Sequence, residues 1–306
     1  MSGPRIAIGP RAASFARQAV VAGGGSVVEA EHEPDALVWL DPGDLSGLSD
    51  RLALTPGIRW VQLPSAGVEG AVELGLVDHD RLWTCAKGSY AEPVAEHALT
   101  LALSGLRVLP TRVTASSWGV QAGTSLYDQK VTILGGGGIA RALLEQLAPF
   151  RVETVVVRRS PEPVPGASRT VAASELHEAL PGSLLVVLAL ALTPGTRGII
   201  GARELDLMDE RAWLVNVARG GHVDTEALVA CLRAGSIAGA ALDVTEPEPL
   251  PEGHPLWDLP NCIITPHTAD TVEMVVPMLA ERIRTNVSRF AAGESLVGLV
   301  DPDAGY

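Results

Sequence analysis

The sequence predicts an α/β protein of two domains, each built on a parallel sheet, and three observations carry that prediction. A chain of 306 residues is long enough for about two domains on the usual length prior, and 47% hydrophobic residues supply a core for each. Short apolar runs alternate with helical stretches in two separate series, as strands joined by helical crossovers do. Between the series, residues 95–109 are rich in alanine and leucine with few breakers. They read as one long connecting helix that ends before Pro110.

In chain order, the first series opens with an apolar run at 5–8 and a helix at 14–22, then continues with runs at 26–29, 36–40, 58–63 and 82–85. It predicts the smaller α/β unit. The second series places strands at 131–134, 154–157, 184–190, 213–217, 238–243 and 262–265, with helices at 139–147 and 225–234 in the intervals. That order predicts a doubly wound parallel sheet of Rossmann type. The longest apolar run, 184–192, is about half of the roughly 20 residues a membrane-spanning helix requires, so it reads as a buried strand. Residues 161–166 form a proline-rich loop, and a last helix at 272–292 stops at Gly293 before a polar tail. The expected boundaries are 1–97 plus 281–306 for the smaller domain and 98–280 for the larger.

Charge and cysteine usage exclude several classes. A net charge of −13 argues against nucleic acid, whose phosphates demand a basic face. Cys85, Cys231 and Cys262 lie far apart without metal-like spacing, which fits buried thiols in a reducing cytoplasm and no metal site. The amino terminus has no long apolar segment behind a basic start, so it does not read as a secretion signal, and the mature chain is expected to begin there. No membrane association is expected.

The run Val131 to Leu134, the cluster Gly135-Gly136-Gly137-Gly138-Ile139-Ala140 and the helix after it form a strand, a glycine turn and a helix. Gly135 would permit the tight turn, Gly137 would let the backbone approach a pyrophosphate, and the helix start at Gly138 and Ile139 would offer free N–H groups. About 20 residues on, an NAD site would place an acid against the ribose. Here the strand ends in Arg158-Arg159-Ser160, and no carboxylate appears until Glu162. Two guanidinium groups and a hydroxyl suit a 2′-phosphate, so NADP(H) is expected to be preferred, with NAD(H) possible.

Three further residues form a chemical set. His267 follows a strand and Pro266, so it should emerge at a carboxyl strand end, where an imidazole with an ordinary pKa near about 6.5 is suited to exchange a proton with a ketone oxygen. Arg219 follows the strand at 213–217 and offers a fork of donors suited to a 2-oxo acid carboxylate. Upstream of His267, either Glu246 or Glu248 is placed to orient the ring and stabilise its imidazolium. Of the other histidines, His32, His79, His177, His222 and His254 read as surface or turn residues, and His97, in the connecting helix, as structural.

These segments, Asn216 to Gly221, Ala241 to Leu250 and Thr265-Pro266-His267, resemble the D-isomer-specific 2-hydroxy acid dehydrogenases, and the resemblance covers nearly the whole chain. It implies a flavodoxin-like substrate domain beside the nucleotide domain, closing over a nicotinamide cofactor and a small 2-oxo acid. It puts the supporting acid on Glu248, the nicotinamide carboxamide on Asp243, and Ala191 and Val217 on the cofactor side. It also implies that Gln62 to Val68 is a loop whose N–H groups, at Ala66 and Gly67, take the substrate carboxylate. Trp118 and Tyr90 are candidates for lining the cleft. The family further implies a homodimer through the nucleotide domain and a chain end packed back on the first domain.

Departures from the family pattern are Ala140 for a last glycine, Ala191 for a frequent proline, Tyr90 for a frequent asparagine, and Thr268-Ala269-Asp270 after the histidine. They bear on substrate choice, since the charge of Asp270 would disfavour a second carboxylate if it faced the cleft. Glyoxylate or hydroxypyruvate is the first expected substrate. Phosphoglycerate is the nearest rival, though no dedicated basic cluster awaits its phosphate, and a nucleotide-sensing corepressor-like protein is the rival from another class.

Overall fold

A computed structural model describes residues 3–306, which divide into two compact units, residues up to Tyr90 with Thr271–Tyr306, and Ala91–Asp270. The start of the mature chain at Met1 lies outside the described residues. Both partition points fall at helix ends. The boundaries expected at 97/98 and 280/281 cut helices Ala91–Leu106 and Val272–Ala292, which the structure keeps whole. A helix is one hydrogen-bonded rod, so it goes with the face it buries.

The first unit contains β1 (Arg5–Gly9), α1 (Ser14–Ala22), β2 (Ser26–Val27), β3 (Ala36–Trp39), α2 (Leu45–Leu54), β4 (Trp60–Gln62), α3 (Glu69–Glu73) and β5 (Leu82–Thr84). The strands pair in the order β2-β1-β3-β4-β5, all parallel, which is the flavodoxin-like order. β3 is buried along its whole length, as a central parallel strand covered on both faces must be. The helix Val272–Ala292 and the tail return to this unit through a buried polar chain. Trp60 Nε1–H donates to Thr84 Oγ1 (2.8 Å), whose hydroxyl donates to Gln62 Oε1 (2.9 Å), and Asn286 Nδ2–H donates to the same oxygen (2.9 Å). Arg282 closes the junction with hydrogen bonds to the carbonyls of Cys85 (2.7 Å) and Lys87 (2.9 Å). Each side chain of this network, Trp60, Gln62, Thr84, Arg282 and Asn286, finds a hydrogen-bond partner.

The second unit begins with α4 (Ala91–Leu106) and α5 (Leu109–Val113). One helix through 95–109 was expected. Instead Val108 takes a left-handed φ of 56° and ends the first helix, and Pro110 enters the first turn of the second, where its missing N–H has no partner to lose. The unit continues with β6 (Lys130–Leu134), α6 (Gly138–Leu147), β7 (Glu153–Arg158), β8 (Arg169–Ala172), α7 (Leu176–Ala179), β9 (Leu185–Leu188), α8 (Ala202–Asp206), β10 (Trp213–Asn216), α9 (Thr225–Ala234), β11 (Gly239–Leu242) and β12 (Cys262–Ile264). Its strands run parallel in the order β12-β11-β10-β9-β6-β7-β8, the doubly wound arrangement. α6 buries Ala140, Leu143, Leu144 and Leu147, one stripe at helical spacing. At α9 the side chain of Asp224 accepts from Ala227 N–H (3.0 Å), and Gly235 ends the helix in the left-handed region.

Candidate active site at the carboxyl edge of the second sheet

Because every strand of the second sheet is parallel, their carboxyl ends share one edge, where open α/β sheets bind ligands. The winding reverses between β6 and β9. At that switch point Gly135 follows β6 with φ +108°, and a Cβ on it would run into the carbonyl of Ala189 just past β9. Only glycine lets the two strand ends approach so closely. A Cβ on the next residue, Gly136, would lie 3.1 Å from Cδ of Arg158, whose side chain lies over the turn. Gly137 faces open space and stands as the N-cap of α6 with no side-chain cap. The first N–H groups of α6, behind Gly138 and Ile139, therefore present an uncapped, electropositive helix end. This cradle fits the pyrophosphate of a dinucleotide, and Ala140, where a third glycine was usual, is fully buried under it.

At the end of β7, Arg158 is half-buried, Arg159 exposed and Ser160 half-buried. Arg158 reaches the carbonyl of Glu162 (3.4 Å) and its carboxylate (3.7 Å). Glu162, the first acid after the strand, thus turns back onto the guanidinium that the sequence assigned to a 2′-phosphate.

The opposite flank of the edge is more tightly built. β11 runs into Asp243, 2% exposed. Its Oδ1 accepts from Thr265 Oγ1–H (2.6 Å) and Thr268 N–H (2.9 Å), and its Oδ2 from Ala269 N–H (3.1 Å). His97 Nε2, from α4, lies 3.3 Å from Oδ1 and 3.1 Å from Thr265 Oγ1. Burial pushes the Asp243 carboxyl up, but the bonds from His97, Thr265 and the two backbone N–H groups outweigh it and hold the group down at about 2. The donors to Asp243 flank His267, whose own N–H donates to the Asp243 carbonyl (2.8 Å) and whose φ is +50°. A non-glycine residue in this region carries about 1–3 kcal/mol of strain, which the bonds around Asp243 offset.

His267 Nδ1 lies 2.6 Å from Oε1 of Glu248, both side chains being partly exposed. Glu246 is occupied elsewhere, bonded through both oxygens to Arg197 (2.8 and 3.0 Å). Of the two acids that sequence chemistry left open, Glu248 is the one against the imidazole. Past β10, Val217 is buried and Arg219 half-buried. A Cβ on Gly220 would run into the Thr245 carbonyl, so the glycine after Arg219 is what allows the 243–248 segment to cross here. Burial raises the Asp270 carboxyl, with His267 and Arg219 pulling it down and Asp243 pushing it up, which places all four in one electrostatic neighbourhood.

Of the remaining histidines, His222 departs from its expected surface or turn place and His97 keeps its place in the helix at the start of the second unit. His222 is fully buried, with its ring between the carbonyls of Arg219 and Ala191, and His97 belongs to the Asp243 cluster. Neither showed in the sequence, because His97 meets Thr265 across 168 residues and His222 is buried by its surroundings rather than by its neighbours in the chain. In the first unit, Ala66 is exposed and Gly67 half-buried, with the Gly67 carbonyl accepting from Ser65 Oγ–H (2.7 Å) and Tyr90 O–H donating to Pro64 (2.6 Å). Burial pushes all three cysteine thiols up, Cys262 to about 12, which suits inert structural thiols. Among the described residues no cluster of metal ligands exists, and no helix is long and apolar enough to cross a membrane.

A family model described as D-isomer specific 2-hydroxyacid dehydrogenase, NAD binding domain, matches residues 98–269. An uncharacterized protein in the proB 3′ region of Corynebacterium melassecola is 42% identical over 259 residues, which is 83% of this chain and 85% of that one. Glyoxylate/hydroxypyruvate reductase A of Serratia proteamaculans (strain 568) is 33% identical over 279 residues, 89% of this chain and 87% of its own. A crystal structure of a D-isomer specific 2-hydroxyacid dehydrogenase from Xanthobacter autotrophicus Py2, in complex with NADPH and MES, aligns over 100% of both chains with a TM-score of 0.86 at 30% identity. With the nucleotide cradle, the sheet orders and these likenesses in agreement, the chain belongs to the D-isomer specific 2-hydroxyacid dehydrogenases, a family of NAD(P)-dependent oxidoreductases.

Proposed function

We propose that this enzyme reduces small 2-oxo acids to D-2-hydroxy acids, glyoxylate or hydroxypyruvate first, with NADPH preferred over NADH. The observation that carries the reading is the 2.6 Å contact of His267 with Glu248, on the sheet edge that also presents Arg219. Donation of the His267 Nδ1–H to Glu248 fixes the ring and leaves Nε2 to hold the proton given to the carbonyl oxygen. Arg219 offers its donors to the substrate carboxylate and to the oxygen on which charge develops. For Ala66 and Gly67 of the first unit, the family resemblance supports backbone N–H donation to a substrate carboxylate. A bound nicotinamide supplies the hydride to the carbonyl carbon.

For the cofactor, Gly135, Gly137, Gly138 and Ile139 hold the pyrophosphate, and Ala191, Val217 and Asp243 line the nicotinamide side. With His97, Thr265 and Thr268 on Oδ1 and only Ala269 on Oδ2, Asp243 keeps an Oδ2 lone pair for the carboxamide. Arg158, Arg159 and Ser160 take the 2′-phosphate. The relatives lend support: the Serratia protein carries the reductase name and the Xanthobacter structure holds NADPH. We assign a homodimer through the second unit, since Val113, Trp118 and Val120 expose 82%, 96% and 83% of their surface at the end of α5 and in the short stretch that follows. A cytoplasmic setting accords with three free cysteines.

The test is steady-state reduction of glyoxylate and hydroxypyruvate with NADPH and with NADH, beside a His267→Ala control. Turnover favouring NADPH and reduced at least about a hundredfold in the control is expected, the lower range for losing a general acid. Tight NADPH binding without turnover of either acid would overturn the substrate assignment.

A further inference from the structure

His222 is 0% exposed, and its two ring nitrogens face two separate loops of the active edge. Nδ1 lies 3.0 Å from the carbonyl oxygen of Arg219, and Nε2 lies 3.3 Å from that of Ala191. Both neighbours are acceptors, so the ring donates to one of them in either neutral tautomer and meets the other at contact distance. The Arg219 carbonyl also accepts from Asn216 Nδ2–H (2.9 Å), and the Ala191 carbonyl from Thr196 Oγ1–H (2.8 Å). Each loop is therefore already folded on itself, and the imidazole spans from one to the other.

The backbone reinforces this junction farther along. Gly198 N–H donates to the Gly221 carbonyl (2.8 Å), and Ile200 N–H to that of His222 (3.0 Å). Those bonds align the segment leading into α8 with the segment after the arginine, whereas the ring acts on the residues assigned to ligands. A buried ring held between two loops restricts both, because its rotamer is fixed by packing and a shift of either carbonyl breaks a hydrogen bond or opens a packed contact where neither is replaced by water.

We propose that His222 is a positioning residue with two separable duties. Its Nδ1 sets the loop that aims Arg219 at the substrate carboxylate, and its Nε2 sets the loop that runs through Ala191 along the nicotinamide nucleotide. This rests on the proposed roles of Arg219 and Ala191.

The two duties are separable by substitution, because an asparagine amide reaches the place of Nδ1 and a glutamine amide the place of Nε2. The experiment measures the Kd of NADPH by fluorescence titration and the Kd of oxamate, an unreactive 2-oxo acid analogue, on the NADPH-loaded protein, for wild type and for His222→Asn, His222→Gln and His222→Phe. His222→Asn is expected to weaken NADPH roughly three- to tenfold, as the loss of one hydrogen bond would, and to leave oxamate near wild type. His222→Gln is expected to do the reverse, and His222→Phe, which keeps ring volume and removes both ring nitrogens, to weaken both. Equal losses of both ligands in the Asn and Gln variants would show a merely structural histidine and overturn the proposal. A folded His222→Phe protein with wild-type constants overturns it whatever the other two do. Because neither constant requires turnover, a wrong substrate leaves this outcome intact, while failure of wild type itself to bind NADPH and oxamate would instead overturn the functional reading beneath it.

Discussion

The two flanks of the active edge are held by different physics. On the β11–β12 flank, a carboxylate 2% exposed accepts from a hydroxyl and two backbone N–H groups, with His97 alongside, and the strained turn bearing His267 hangs from it. On the β7 flank, the Arg158 side chain is 28% exposed and that of its partner Glu162 is 76% exposed. Buried, satisfied polar networks lock one geometry. Exposed ion pairs are worth about 0–1 kcal/mol and keep rotamer freedom. On the proposed roles, the fold fixes its proton chemistry firmly and leaves its nucleotide preference to side chains that are easily changed.

The sharpest way to break that contrast is the acid pair at 246 and 248. Glu248→Gln is expected to lower kcat about a hundredfold or more, the scale of a disabled general acid, with little change in NADPH affinity. Glu246→Gln, which loses only the partly exposed bridge to Arg197, is expected to stay within about twofold. The reverse ranking in steady-state assays would mean that the imidazole is served by the wrong acid in this reading.

The β7 flank was easier to assign from sequence than to secure, and the reacting flank the opposite. Arg158-Arg159-Ser160 stood out as a strand end without an acid, but the return of Glu162 onto Arg158 depends on loop geometry that no local pattern encodes. The pairing of His267 with Glu248 came only from resemblance, since an imidazole has no periodicity, and Glu246 was equally placed until Arg197 was seen to occupy it. Strands β9 and β10 were legible because they are continuous buried apolar runs. The edge strand β8 was not read, because only Val171 of its residues is buried. α2, opened by an Asp44 cap and interrupted by Gly47 and polar serines, has a weaker apolar rhythm than α6.

The network around Asp243 gives the contrast a pH signature. Its folded pKa of about 2 lies below the ordinary 3.8, so the carboxylate favours the folded state above about pH 4. That contribution, about 2 kcal/mol by linkage, is lost as pH falls toward 2 and through the folded value. Urea midpoints measured from pH 5 to 2 should therefore fall more steeply for wild type than for Asp243→Asn. The variant is expected to begin less stable at neutral pH, because its amide N–H faces donors. Parallel slopes would mean that Asp243 is not the buried acid of that flank.

On the looser flank, single changes to the arginines should act on nucleotide choice alone. Arg158→Gln or Arg159→Gln is expected to lower the ratio of kcat/KM for NADPH over NADH about tenfold each, the scale of one charge-assisted bond near the surface. The glyoxylate KM at saturating cofactor should stay put. An unchanged ratio in both variants would return the pair to ordinary solvated side chains.

The smallest expected effect tests the competition within that flank. Glu162 holds Arg158 through its carbonyl and its carboxylate, so an incoming 2′-phosphate must displace or share a partner that NADH leaves undisturbed. Glu162→Gln removes the carboxylate charge and keeps the carbonyl. It should raise NADPH efficiency about two- to threefold while leaving NADH unaltered, with the gain shrinking at high salt, because an exposed pair contributes only tenths of a kcal/mol and is screened. A gain for both cofactors would place Glu162 near the shared pyrophosphate instead. A loss for NADPH would mean that the acid steadies Arg158 in its binding pose, and the β7 flank would then be a built site like the one around Asp243.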